Sequence, residues 1–253
     1  MISLSELLLE ANGKPKAIFM AGPAGSGKST IIRELIPSYF TTLNIDDEYE
    51  KLLTTSGMGM AQKDFSPEEL SQAAKFMSQA QKKTREKFTT LSQELKDIII
   101  DGTGAATRPL LKKDANLKAL GYDTFMVMLN VSPITSLKRN LTRNRQLLPT
   151  IITKTWKSVN TNIDIFREAF GNDFILIDND PADAERDYDP KEIKIRFFDT
   201  TKGKGKPKTP EQMAKKAKEV EQLNQDIIDL IQIEREYDTL EEAKAKIDRF
   251  INE

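Results

Sequence analysis

The chain has 253 residues, 38% hydrophobic and 30% charged, a composition that suits one large α/β domain or a medium domain with an appendage. Its 38 Lys and Arg against 39 Asp and Glu give a net charge of -1, so no whole-molecule field draws it to nucleic acid or membrane. Cys and His are both absent, which excludes disulfides, thiolate nucleophiles, zinc fingers, Ser-His-Asp triads and imidazole proton shuttles and leaves acid–base chemistry to Asp, Glu, Lys or Tyr.

Residues 1–15 read as a short amphipathic helix opened by the capping-box pattern Ser3-Leu4-Ser5-Glu6, with Leu4, Leu7 and Leu8 facing the core or a partner. No basic run precedes an apolar one as a secretory signal requires, and no apolar stretch approaches the roughly 18 residues of a spanning helix. A cytoplasmic protein with no membrane partner is expected. Lys16 to Ala21 is a short apolar strand running into a glycine-rich turn, and Ser29 to Leu35 has helical composition. Further strands fit Tyr39 to Ile45, Asp97 to Ile100, Thr124 to Val131 and Phe174 to Ile177, with a helix from near Arg108-Pro109 to Gly121 before the fourth. Strands alternating with helices predict βαβ units and a parallel sheet, and the carboxylates following three strands should converge on one crevice beyond their carboxyl ends. Between Asp47 and Asp97 the chain is too long for one crossover. It holds a Ser56 to Met60 turn and a helix start at Ser66-Pro67-Glu68-Glu69, and reads equally as a lid-like insertion or as an extra structural helix pair. Beyond Asp180 come a charged stretch, a strand pattern at Ile193 to Phe198, a basic linker at Thr201 to Pro210, and helices from Pro210 to about Tyr237 and Thr239 to Ile251. Val220, Leu223, Ile227 and Leu230 recur at helical spacing, so the two helices are expected to form a hairpin with a face to bury. The resulting domains are 1–15, 16–182, 183–210 and 211–253.

Gly22-Pro23-Ala24-Gly25-Ser26-Gly27-Lys28-Ser29 has the form G-x-x-x-x-G-K-[ST] between a strand and a helix, the context in which such a loop wraps a polyphosphate with backbone N–H groups. Lys28 is placed to reach the β- and γ-phosphates, Ser29 to give a hydroxyl to Mg²⁺, and Thr30 to touch the α-phosphate. Asp101-Gly102-Thr103-Gly104 fits the D-x-x-G of GTPases, but no N-K-x-D follows to read guanine. Asp46, just past the second strand, is a candidate to accept a proton from an attacking hydroxyl, with Asp47 its rival, and Asp101 a candidate to hold Mg²⁺ through water. A cap or turn residue is the competing reading for each Asp. Arg139, Arg143 and Arg145 follow the fourth strand. Arg139 and Arg143 are four apart on an expected helix and can close over a transferred phosphoryl group, Arg145 joins the nucleotide-binding set, and Gln146 to Pro149 reads as a lid tip; a solvated basic face is the alternative. Lys202, Lys204, Lys206 and Lys208 could make weak salt-dependent contact with nucleic acid, although the run lacks aromatics and suits a solvated linker better.

The phosphate loop, Asn44-Ile45-Asp46-Asp47, Ile98 to Thr103 and the arginines of 139–145 together resemble the P-loop kinases grouped around bacteriophage polynucleotide 5′-kinase and the zeta-toxin kinases. The resemblance covers about residues 15 to 181. It implies a P-loop NTPase three-layer sandwich with a five-stranded parallel sheet in order 2-3-1-4-5, here with a C-terminal helical extension. It also implies ATP and Mg²⁺, a hydroxyl acceptor, Asp46 as base, Lys28 on the phosphates and a lid arginine at the transition state. Where polynucleotide kinases carry an Arg shortly after the catalytic Asp, this chain has Glu48-Tyr49-Glu50, which weakens a nucleic-acid acceptor, and no phosphatase signature is present. The expected activity is transfer of the γ-phosphoryl group to a hydroxyl of a nucleotide, nucleic-acid end or nucleotide-sugar. The alternative is a nucleotide-dependent interaction module that uses the C-terminal helices.

Overall fold

In the computed structural model, residues 13–60, 65–143, 145–181 and 209–252 are described. The N-terminal helix expected over 1–15, the strand at 193–198 and the lysines 202–208 fall wholly or mainly outside them. The described elements run β1 (Lys16–Ala21), α1 (Lys28–Leu35), β2 (Thr41–Asn44), α2 (Ile45–Thr55), α3 (Pro67–Gln93), β3 (Ile98–Asp101), α4 (Thr107–Ala119) and β4 (Asp123–Asn130). They continue with α5 (Pro133–Leu141), α6 (Pro149–Thr161), α7 (Ile163–Phe170), a 3₁₀ turn (Gly171–Asp173), β5 (Phe174–Asp178), α8 (Pro210–Ile231) and α9 (Leu240–Asn252). All five strands are parallel in the order β2-β3-β1-β4-β5, as expected.

β1 is central, and Ile18 lies beside Ile99 of β3 and Phe125 of β4. Successive side chains of a strand point to opposite faces, so β1 feeds two cores. Ala17, Phe19 and Ala21 join Leu117 of α4, Val159 of α6 and Phe166 of α7 on one face. Ile18 and Met20 join Ile31 of α1 on the other, together with Ala243, Ile247 and Phe250 of α9. The C-terminal helix is therefore part of the third layer of the sandwich. α8 lies along α6, where Ile227 is buried and Lys157 pairs with Asp226. The helices thus do not form the hairpin expected from their spacing, because each has found a different apolar surface. α8 ends at Ile231, short of Tyr237, and a strap over residues 232–239 leads to α9. There Asp238 bridges to Ile177 in parallel, its N–H donating to the Leu176 carbonyl at 2.7 Å.

β2 is shorter than Tyr39 to Ile45. Asn44 accepts from the Asp46 N–H at 2.7 Å and caps α2, so Ile45 is already helical, while Tyr39 is exposed. Between β2 and β3 the structure has a packed helix pair: Tyr49 and Leu53 of α2 bury against Ala73, Phe76 and Ala80 of α3. Ser66 and Glu69 make the reciprocal bonds of a capping box at the start of α3. Among the described residues no helix is long and apolar enough to cross a membrane.

Since Phe250 and Ile247 sit in the sheet core, Phe250→Ala should lower the unfolding free energy by about 3–5 kcal/mol and Ile247→Ala by about 2–5 kcal/mol in a denaturant titration. Near-zero changes would show that α9 is dispensable to the sandwich.

Candidate active site

The loop after β1 reverses tightly, and Gly22 is where the space runs out. A Cβ there would lie 2.6 Å from both the Leu129 carbonyl oxygen and Ser26 Oγ, and its N–H donates to the Thr103 carbonyl at 3.0 Å. Gly27 has φ 90°, left-handed backbone that side chains resist, and a Cβ would collide with the Asn179 amide. Three successive loop carbonyls have donors on the strand-four and strand-five side. Ser136 Oγ donates to Ala24, Arg139 Nη1 donates to Gly25 at 2.9 Å, and Asn179 Nδ2 donates to Ser26 at 2.8 Å. In a planar trans peptide the next N–H points opposite to the carbonyl, so holding these oxygens outward turns the amides of Gly25 and Gly27 away from those partners, while the Ser26 N–H donates to the Pro23 carbonyl at 3.2 Å. Arg139 Nη2 also donates to the Asn179 carbonyl at 3.0 Å, locking the two braces together.

Lys28 opens α1 and folds back, its ammonium donating to the carbonyls of Gly22 at 2.8 Å and Pro23 at 3.3 Å. Burial lowers its pKa from the usual lysine value, Asp101 opposes this, Arg143 adds to it and Asp46 opposes it. Ser29 and Thr30 are exposed on the first turn of α1.

Asn44 ties the two acidic positions together. Its Oδ1 accepts from the Asp46 N–H, while its Nδ2 donates to Asp101 Oδ2 at 2.6 Å. The other Asp101 oxygen, Oδ1, is buried without a hydrogen-bond partner among the described residues. Burial raises the Asp101 pKa above the usual carboxylate value, Lys28 opposes, Asp47 and Asp46 raise it further, and the Asn44 bond opposes. The Asp46 carboxylate pairs with Arg145 Nη1 at 2.8 Å; the same nitrogen lies 3.6 Å from Glu50, and the buried guanidinium sits 5.3 Å over the Tyr49 ring. Among the described residues Asp47 makes no such pair, although its charge is felt at Asp101.

The structure brings Lys28, Asp46, Asp101 and Arg143 into one electrostatic neighbourhood. Arg139 instead braces the phosphate loop, and Arg145 meets Asp46. Arg143 does not share a helix face with Arg139, because α5 stops at Leu141 and Thr142 caps it. The reason is Asn140, whose side-chain amide bonds both the N–H and the carbonyl of Leu147 at 3.0 Å and ties Leu147 back to the end of α5. Gln146 donates back to the Leu141 carbonyl, and Pro149 opens α6, so the expected lid tip is a tied turn followed by helix. Sequence reasoning passed over Ser136 and Asn179. The only local signal for Asn179 was its place among the polar residues after β5.

The residues present suit a hard divalent cation: Asp101 has an unpartnered buried carboxylate oxygen, and Ser29 has an exposed hydroxyl beside the phosphate loop.

A family profile described as Zeta toxin matches residues 4–172. A search of curated protein sequences found no significant match. Among solved structures, AvrRxo1-ORF1:-ORF2 with ATP is 11% identical, with 98% of this chain and 84% of that chain covered and a TM-score of 0.55. AvrRxo1-ORF1:AvrRxo1-ORF2 with sulphate ions is 14% identical, with 92% and 85% covered and a TM-score of 0.51. The PezAT chromosomal toxin-antitoxin system of Streptococcus pneumoniae is 16% identical over 90% and 92%, with a TM-score of 0.48. At these identities the likeness to the two AvrRxo1-ORF1 structures is one of fold.

Two outcomes follow. Arg139→Ala removes the bond to the Gly25 carbonyl and the bond that ties it to Asn179, and should weaken nucleotide binding at least about tenfold by titration calorimetry, with little loss of far-ultraviolet helicity. Asp101 binds its proton more tightly folded than unfolded, so its ionised form costs stability at pH above the raised folded value, and that cost disappears below the ordinary carboxylate value. Asp101→Asn should therefore be more stable than the parent at neutral pH, with the difference shrinking as pH falls, in thermal melts across that range.

Proposed function

The chain belongs to the zeta toxin family, and on that premise we propose that it is an ATP-dependent kinase transferring the γ-phosphoryl group to a hydroxyl of a nucleotide, nucleic-acid end or nucleotide-sugar. The observation that carries this reading is Asn44, which holds Asp46 and Asp101 together in the electrostatic field of Lys28.

The triphosphate is taken to lie in the loop 22–29, its oxygens accepting from backbone N–H groups and from Lys28 once the ammonium leaves the Gly22 and Pro23 carbonyls. Thr30 lies on the same turn, toward the α-phosphate. Mg²⁺ would be held by Ser29 and Asp101, and when bound it neutralises charge on the phosphate oxygens. Asp46 accepts the proton of the attacking hydroxyl. Arg145 holds that carboxylate from one side while the Asn44 cap fixes its backbone, leaving Asp46 half-exposed toward an acceptor. Arg143, exposed and close enough to affect Lys28, adds positive charge as the phosphoryl group moves. Arg139 contributes by shaping the loop. Glu48 and Glu50 follow Asp46 on α2, with Tyr49 between them buried against α3, an acidic neighbourhood that suits a small polar acceptor better than a nucleic-acid backbone. The interaction-module alternative draws no support from Ala243, Ile247 and Phe250 of α9, which are buried on the sheet.

The deciding experiment offers γ-labelled ATP with a panel of 5′-hydroxyl oligonucleotides, nucleosides and nucleotide-sugars. Label should pass to one acceptor class, and Lys28→Ala and Asp46→Asn should each reduce transfer by about a hundredfold or more. Undiminished transfer in both variants would overturn the proposal.

A further inference from the structure

Charge is unevenly placed along this chain. Residues 81–93 of α3 together with α4 carry eight Lys and Arg against two acids, and since the whole chain is at -1 the remainder is net acidic. We infer that the face formed by α3 and α4 is a docking surface for the phosphate backbone of a nucleic-acid duplex. It is separate from the acidic stretch that follows Asp46 and does not depend on the kinase reading.

The two acids are already committed. Glu86 lies 3.9 Å from Lys82, and Asp114 accepts from Lys118 at 3.0 Å and from the Thr124 hydroxyl at 2.6 Å. The side chains of Lys83, Arg85, Lys87, Arg108, Lys112 and Lys113 make no hydrogen bond or ion pair among the described residues. Five of these six are exposed. Lys113 is half-buried, with its ammonium 5.5 Å over the Phe88 ring of α3. That contact sets Lys113 near Arg85, so two cations share the seam between the helices without a counter-charge among the described residues. Burial lowers the Lys113 pKa from the usual lysine value, and Arg85 lowers it further. An anion at the seam relieves both effects. Lys112 stands beside Lys113, and Arg108, four residues earlier, extends the row along α4. Lys83 and Lys87 form a second row on α3, and the charge of Lys87 is felt at Asp47.

The composition of the face selects its partner. Among the described residues no large apolar side chain is exposed between residues 81 and 119, and Leu120, just past α4, is the first beyond them. A protein partner would need an apolar centre to bury, which this face does not offer. A single strand is held by aromatic side chains on which its bases stack, and the one aromatic residue here, Phe88, lies under Lys113. What the face does offer is cations on two adjacent helices, the groups that neutralise phosphates and release their counterions. Such contacts read no base, so binding is independent of sequence. The net acidic remainder of the chain orients the molecule with this face toward a polyanion.

The full chain, without nucleotide, is titrated into fluorescently labelled DNA and RNA duplexes of mixed sequence over a range of salt concentrations. Wild type should bind with a slope of log K against log salt of about -3, as the neutralisation of a few phosphates requires. Arg85→Gln combined with Lys113→Gln should weaken binding at low salt about tenfold or more and make the slope shallower by about 1–2. Lys112→Glu, at an exposed position, should also weaken it about tenfold. Thermal melts at the parental temperature in these variants show that the loss is not unfolding. Lys202, Lys204, Lys206 and Lys208 are a second basic run, so their joint replacement by Gln is measured alongside and should leave most of the binding in place. Binding abolished by that replacement and untouched by the α3–α4 variants overturns the assignment, as does a wild type that binds neither duplex. An oligoglutamate peptide that takes the same face more tightly than the duplexes also overturns it, by making the partner an acidic protein. Because no nucleotide is present, failure here leaves the phosphate-loop reading untouched.

Discussion

A loop that turns its N–H groups toward one point must turn its carbonyls away, and those carbonyls need donors that are not water if the loop is to hold its shape. Here Ser136, Arg139 and Asn179 supply them, and Arg139 also bonds Asn179. Much of the site depends on that brace. It sets the direction of the loop amides, it needs a bare α-carbon at Gly27, and it ties the loop to the ends of α5 and β5. An arginine that looks from sequence like a cation for the phosphoryl group acts in this structure on the backbone that surrounds it.

The acidic side has a comparable economy. Asn44 uses the two ends of one amide to cap α2 and to hold Asp101, so the strand-two and strand-three carboxylates keep a common register. Charges around Lys28 oppose one another. Burial and Arg143 disfavour its proton while Asp101 and Asp46 favour it, and Asp101 is itself pushed toward the neutral form by burial and by its acidic neighbours. Such a cluster is relieved by bringing in a polyphosphate and a divalent cation together, since each neutralises part of what the other leaves exposed.

The two faces of β1 explain why the C-terminal helix belongs to the sandwich. One face is closed by α4, α6 and α7, the other by α1 and α9. The strap that leads to α9 crosses the end of β5 and bonds Leu176, which sets Tyr237 and Leu240 opposite α1.

Contiguous residues alone determined the phosphate loop, the strand positions to within a few residues, the parallel class and the helix start at Ser66, because each depends on neighbours within a few positions. Family likeness supplied the strand order. The short span of β2 was misjudged because the Asn44 cap competes with strand continuation, and α5 was extended too far because Asn140 bonds onward to Leu147. What only the tertiary structure decided was the pairing of distant groups: Gly25 with Arg139, 114 positions apart, Ser26 with Asn179, 153 apart, Asp46 with Arg145, and α9 with β1. The pattern of a helix says which side is apolar, but which surface covers it depends on the sheet order, and local spacing carries no record of that.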